Sequence, residues 1–263
     1  MTGSPDWLLW LFAGIVGAAI GSFLNVCIYR WPAEQSVIRP PSRCPSCEHA
    51  LAWYDNVPIL GWMLLRGRCR YCGAGVSVQY PLIELATALI WVAAAVRFGP
   101  SFGALHSALF LTILLGIAMT DAREMVIPDQ FTLVGAAAGI ALAFAPGGLT
   151  VMHAVLAAAL GYVLLWTVKL GAEKALGKPA LGIGDIHMMV FVGAFIGAPG
   201  MLLTLMLGSV LGLLIGVPAT WLRGRLTVMG TYLPLGTFLA LGAAVAHVWG
   251  DAIIRWYLGF VGV

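Results

Sequence analysis

Four cysteines stand in two pairs, Cys44-x-x-Cys47 and Cys69-x-x-Cys72, with 21 residues between the pairs. Two such knuckles can present four thiolates to one tetrahedral metal, and zinc is the ion that accepts an all-sulfur set. Two disulfides, or four free thiols, would use the same residues. A closed four-sulfur site leaves no position for water, so a metal there shapes the loop and hydrolyses nothing. His49, two residues past Cys47, is a spare ligand for a set that is already complete. Cys27 lies in an apolar run and reads as a small buried residue.

Two aspartates raise a different chemistry. Asp121 closes an apolar run in LLGIAMTDAREMVIPDQF, and Asp185 opens another in LGIGDIHMMV. An acid at the edge of a strongly apolar segment is costly to place there and is a functional candidate by default. Plainer roles exist, such as helix capping, or ion pairs with Arg123 for Asp121 and Lys178 for Asp185. The more specific role is a carboxylate pair. Two carboxyl groups a few ångströms apart do not both ionise readily. One takes a proton from water while the other protonates a leaving amine, so an amide is hydrolysed without a covalent intermediate. Gly182 and Gly184 lack a Cβ, which lets a substrate backbone approach Asp185. Asp129, after Pro128, reads as a helix N-cap. Glu124 reads as a loop charge, and Glu84 as a partner for the loop preceding it or for substrate. His106, His153 and His247 read as packing or interfacial residues.

The elements that must position these groups are set by composition. Of 263 residues, 61% are hydrophobic and 10% charged, against roughly 45–50% apolar and about 25% charged in soluble domains. No soluble fold of this length has enough interior for that content, and the net charge of +3 with no long basic block excludes a nucleic-acid partner. The fold class is an all-α polytopic membrane protein whose main solvent is lipid. About eight transmembrane helices are predicted, at 7–29, 81–97, 103–120, 130–146, 150–170, 186–198, 200–221 and 232–258. The sixth is short for a span, so it begins inside the GIGD loop or crosses incompletely. Gly197, Pro199 and Gly200 mark a turn after it. The first apolar stretch lacks a basic flank and is expected to be retained as a span.

Basic residues set the orientation. Arg30, Arg39, Arg43, Arg66, Arg68, Arg70, Arg123, Lys169, Lys174, Lys178, Arg223 and Arg225 fall on one side, and only Arg97 and Arg255 on the other. The richer side is cytoplasmic, with both termini outside. Three domains are expected: 1–29 as the first transmembrane helix, 30–80 as a small zinc-binding cytoplasmic insertion between helices 1 and 2, and 81–263 as the remaining membrane domain. A reducing cytoplasm disfavours disulfides and favours the metal.

Taken in order along the chain, these motifs resemble the type IV prepilin peptidase family, the leader peptidases of pilus assembly and type II secretion. The stretches that carry the resemblance are GSFLNVCIYRWP at 21–32, the cysteine loop with LAWYDNVPILGWMLLRGRCRYC at 51–72, YPLIELATA at 80–88, TDAREMVIPD at 120–129, GIGD at 182–185 and LPLGTFLALGA at 233–243. The resemblance implies a Gly-x-Gly-Asp aspartyl protease of the cytoplasmic (inner) membrane. It implies cleavage of basic leader peptides after a glycine, from prepilin and pseudopilin substrates whose remaining helix can lie in the lipid. It also implies methylation of the new N-terminal residue, usually phenylalanine, with S-adenosyl-L-methionine as donor. Asp121 and Asp185 fall on the family's catalytic positions. Cys44, Cys47, Cys69 and Cys72 fall on the tetrad of methyltransferase-competent members, and relatives without it are peptidases only. One position departs: His187 stands where the family usually has lysine, exchanging a permanent positive charge for a pH-dependent one. A peptidase without methylation, a transporter using Asp121 and Asp185 as ion ligands, and a scaffold with a zinc loop are the rival readings. Transport would set acids nearer mid-membrane, and a scaffold would tolerate loss of either aspartate.

Overall fold

The structure is a computed structural model that describes residues 6–216, 218 and 234–261. Among these residues the chain is helical, with no strand and two isolated β-bridges. The helices are α1 (Asp6–Arg30), α2 (Leu60–Leu64), α3 (Gln79–Phe98), α4 (Phe102–Glu124), α5 (Asp129–Leu142), α6 (Val151–Leu176), α7 (Ile183–Leu211, continued by a π turn over Gly212–Gly216) and α8 (Leu235–Val261). Arg223, Arg225, Leu233 and the ends of the predicted spans 200–221 and 232–258 that adjoin them lie outside the described residues.

Among the described residues, six helices are long and apolar enough to cross a membrane: Asp6–Arg30, Gln79–Phe98, Phe102–Glu124, Val151–Leu176, Ile183–Gly216 and Leu235–Phe260. The other two of the eight predicted spans differ for definable reasons. The fourth forms a helix of 14 residues, because Ala143 leads into a turn at Pro146, Gly147 and Gly148. The sixth and seventh form one helical run that starts inside the GIGD loop and is broken at Gly197, whose φ of 71° and ψ of 179° lie outside helical space. Gly197 adopts that conformation without steric penalty, and Pro199 removes a helical donor two residues later. α4 runs one turn beyond its predicted end, which places Asp121 in its last turn rather than after it.

The chain forms two compact units, 1–112 and 113–263, divided within α4. In the first, α1 and α3 are antiparallel. Gly17 and Gly21 of α1 meet Ala88, Trp91, Glu84 and Thr87 of α3 so closely that a Cβ at either would lie 2.7–2.8 Å from its nearest neighbour. Lipid offers no hydrophobic drive between helices, so this closeness supplies the dispersion that holds them.

In the second unit the centre is α7, with 56% of its most apolar stretch buried against 28–39% in the other spans. α6 crosses its first arm antiparallel: a Cβ at Gly161 would sit 2.7 Å from the Met189 carbonyl oxygen, and one at Gly193 would sit 2.5 Å from that of Ala157. α5 runs parallel to the same arm, its Gly135 and Gly139 receiving the rings of Phe191 and Phe195. α8 packs antiparallel on the second arm, Gly208 against Leu239 and Gly242 against Thr204. α6 itself is bounded by Thr150, whose hydroxyl accepts the His153 N–H, and by Gly177 in the left-handed conformation.

Candidate active site

Asp121 is buried in the last turn of α4, with only 5% of its surface exposed. Its Oδ2 accepts two hydrogen bonds from one residue of α8: the Thr237 N–H at 2.6 Å and the Thr237 hydroxyl at 2.9 Å. The same hydroxyl lies 3.2 Å from the Ala118 carbonyl oxygen, one turn earlier in α4. Thr237 sits in the first turn of its helix, where N–H groups have no intrahelical partner and the dipole favours an anion. The carboxylate thus closes the helix end that would otherwise be bare.

Asp185 is the third residue of α7, after the N-cap Gly182. Its carboxylate takes a hydrogen bond from the Gly182 backbone, the reach-back of an N3 acid to its own cap. The Asp185 and Asp121 carboxylates lie within electrostatic reach of each other. What brings them there is Ile127, in the turn between α4 and α5. A Cβ on Gly184 would lie 2.9 Å from Ile127 Cβ, and one on Gly236 would lie 2.6 Å from Ile127 Cδ1 and 3.0 Å from Asp121 Cγ. Gly184 and Gly236 each precede a site residue, Asp185 and Thr237. One isoleucine therefore sets the spacing of both. The glycines beside Asp185 have internal work as well as an open face: Gly184 admits Ile127, and a Cβ on Gly182 would stand 3.1 Å from Asp185 Oδ2.

Neighbouring polar residues hold the frame. Asp129 is not the N-cap of α5; Pro128 is, and Asp129 is the first helical residue. Its Oδ1 meets His187 Nδ1 at 2.7 Å. His187 is thereby engaged with Asp129, two residues beyond Asp185, and links α5 to α7. Lys169 of α6 pairs with Glu173 and donates to the Leu181 carbonyl at 3.1 Å, tethering the strand of chain that leads into GIGD. Arg123 approaches Glu124 at 4.0 Å. Thr237, Ile127 and Lys169 escape sequence reasoning as site residues. For Thr237 a signal exists: a hydroxyl in the first turn of an apolar helix.

The four cysteines of the insertion come together. Their sulfurs all lie within 4.8 Å of one another, with Cys44–Cys72 at 3.7 Å and Cys47–Cys69 at 4.0 Å. A tetrahedral set at the zinc–sulfur distance of about 2.3 Å requires sulfur separations of about 3.8 Å, so the cluster can hold a metal ion of that kind. The two knuckles have the same form, 25 residues apart. Cys44 N bonds His49 O at 3.0 Å and Cys69 N bonds Ala74 O at 2.8 Å, each beside an isolated bridge, Arg43 with Ala50 and Arg68 with Gly75. The turn residue with positive φ is Gly73 in the second knuckle, at 72°, and Glu48 in the first, at 56°. Backbone N–H groups of Cys47 and Ser46 hold the Cys44 thiol down, to about 6, as suits a metal-binding thiolate. His49 is no ligand; its ring lies 3.6 Å from that of Tyr71, joining one knuckle to the other. Arg70 grips Asp55 through two nitrogens and lies 5.2 Å from the Tyr54 ring centre.

Residues 15–98 match the bacterial peptidase A24 N-terminal domain, and residues 108–217 match the type IV leader peptidase family. A protein of Aeromonas hydrophila named prepilin leader peptidase/N-methyltransferase is 34% identical over 96% of this chain and 94% of its own length. The chain belongs to the type IV leader peptidase family. Two further leader peptidases bearing the same name are similar to it: one of Myxococcus xanthus, 38% identical over 84% of this chain and 65% of its own, and one of Pseudomonas putida, 35% identical over 95% and 93%. No solved structure matches. The cysteine cluster lies within the first matched family domain, and Asp121, Asp129, Asp185 and His187 lie within the second.

Proposed function

We propose that this membrane protein is a bifunctional prepilin leader peptidase and N-methyltransferase. The observation that supports it is that Ile127 packs both on Gly184, next to Asp185, and on Gly236, beside Asp121, in a chain of the leader peptidase family. Asp121 and Asp185 are the catalytic pair. One activates water at the scissile carbonyl and the other protonates the departing amine, and the leader leaves without a covalent enzyme intermediate. Thr237 fixes one Asp121 oxygen, so the rotamer is set before substrate arrives and the remaining oxygen is left to the chemistry.

The substrates are prepilins and pseudopilins, cut between a basic leader and an apolar helix that stays in the lipid. The site and the cysteine loop face the cytoplasm, and the protein resides in the inner membrane, as the basic-residue asymmetry supports. Cys44, Cys47, Cys69 and Cys72 hold one structural zinc, which shapes the 30–80 domain. Methylation of the new N-terminus draws on S-adenosyl-L-methionine. A cleft of about 400 Å³ in the first unit, lined by Ser22, Arg30, Ser42 and Asn56 among apolar side chains, has room for a small molecule and offers Arg30 to a carboxylate.

The test is mass spectrometry of a candidate pilin co-expressed with the protein. Leader removal and the added mass of one methylene are read independently on the same chain. Asp121→Asn and Asp185→Asn should each abolish leader removal while the protein stays in the membrane, since losing one member of an acting pair costs nearly as much as losing both. Near-normal cleavage by either inserted variant sinks the assignment.

A further inference from the structure

The insertion between α1 and α3, expected to be a cytoplasmic domain, carries the short helix α2, tied to α3. α1 ends at Arg30 and α3 begins at Gln79. Beside those ends Tyr29 and Tyr80 stack with ring centres 5.2 Å apart, and Asn25 donates to the Tyr80 carbonyl at 3.1 Å. Stacked tyrosines at span ends mark the headgroup level. Glu84 lies about 6 Å beyond Tyr80 along α3 by helical rise, and its side chain leans back toward the helix N-terminus. There its Oε2 accepts the backbone N–H of Ile59 at 2.6 Å. Ile59 has a φ of 63°, unfavourable for a β-branched residue. The turn that enters α2 is thereby strapped to the spans at about the depth of Tyr80.

From that anchor α2 presents one face outward. Leu60, Met63 and Leu64, spaced i, i+3 and i+4, are 56%, 59% and 80% exposed. The other side is occupied within the loop: Gly61 packs on the Asp55 carbonyl, and the Trp62 indole N–H bonds the Val76 carbonyl at 3.0 Å. Trp53 is 81% exposed nearby in sequence, and the exposed cations Arg66 and Arg68 follow α2 directly. Apolar side chains on one face, an exposed tryptophan and following arginines are the composition of a segment lying in the headgroup–acyl boundary of an anionic leaflet.

We propose that the Leu60–Met63–Leu64 face of α2 rests in the lipid at the Arg30/Gln79 end of the spans, making the cysteine loop an interfacial domain rather than a free one. The occupant is the bilayer itself, because the turn entering α2 is tied to Glu84 of the apolar span α3, where Leu82 and Leu85 are also exposed, and because the exposed cations Arg66 and Arg68 complement an anionic leaflet. The inference rests on the membrane spans and not on the enzymatic assignment.

Zinc-loaded protein is reconstituted in vesicles of phosphatidylethanolamine and phosphatidylglycerol, with p-benzoylphenylalanine placed singly at the positions of Leu64, Met63 and, as control, the knuckle residue Ser46. After illumination, intact-protein mass spectrometry should find phospholipid adducts several-fold more abundant at positions 64 and 63 than at 46. Zinc content equal to that of the unsubstituted protein verifies the loop fold; if one probe position loses zinc, the other decides. Equal adduct levels at all three positions overturn the proposal. So does cross-linking of positions 63 and 64 to a second copy of the chain in place of lipid.

Discussion

Thr237 fixes Asp121 by giving both its N–H and its hydroxyl to one oxygen, and each donation to a carboxylate is worth about 1.5–3 kcal/mol. Thr237→Val retains shape and the N–H but deletes the hydroxyl. Leader cleavage should fall roughly ten- to a hundred-fold, with Thr237→Ser restoring most of it, as measured on a purified pilin substrate. Asp129 and His187 act as one unit across α5 and α7. Asp129→Asn and His187→Ala should each cost up to about 1 kcal/mol of stability, and the double variant no more than either alone. Additive losses in a thermal unfolding series would show that the contact carries no energy. These partners were beyond the sequence for a simple reason. A lipid-facing chain advertises its acids, because each acid violates an apolar pattern, so Asp121 and Asp185 stand out. A threonine in a helix violates nothing, and whether a histidine serves the neighbouring aspartate or one 58 positions earlier depends on how two helices are rotated.

At the scale of elements, the packing of α6 on α7 leaves no room at Gly161 or Gly193. Gly193→Leu would drive a side chain into the Ala157 backbone and should lower stability by about 1–3 kcal/mol or more, read as a lower aggregation temperature in detergent. Gly184→Ala is smaller but sits at the site. Its added methyl meets Ile127, pushes the start of α7 away and should reduce cleavage about a hundred-fold through misplacement of Asp185, with helix content and membrane insertion unchanged by circular dichroism and fractionation. Apolar length made most helices readable, since lipid thickness fixes what a span must be. It failed where a span was interrupted. The run from Ile183 to Gly216 is continuous in hydropathy; its break was legible instead from Gly197, Pro199 and Gly200, and the backbone departs from helix at Gly197. The convergence of the four cysteines was legible because two C-x-x-C knuckles can turn four thiols toward one point, whereas Glu84 stood between a loop and a substrate role and its bond to Ile59 appears only in the fold.

Across the whole molecule, the cysteine cluster and the aspartate pair belong to separate compact units, 1–112 and 113–263. Purified protein should contain about one zinc per chain held by four thiolates. Cys44→Ser or Cys72→Ser should lower that content and, at matched abundance in the membrane, reduce methylation more than cleavage. A pilin with its leader removed and its new N-terminus unmethylated is the expected product. Parallel loss of both activities across several cysteine variants would mean that the tetrad organises the entire protein. Glu48 offers a gain in place of a loss. It adopts the backbone conformation that Gly73 takes in the other knuckle, and left-handed geometry costs an L-residue about 1–2 kcal/mol. Glu48→Gly should therefore slow zinc release to a chelator.

The bond from Thr237 to Asp121 spans 116 positions of chain. The ribosome makes Asp121 early and its partner late, with α5, α6 and α7 emerging in between. During that interval α4 must sit in the bilayer with an acid in its final turn that has not yet met its donor. Its place at the very end of the span lets headgroup water stand in until α8 arrives. A nascent chain that stalls before its last helix therefore holds both acids but not the donor that fixes Asp121.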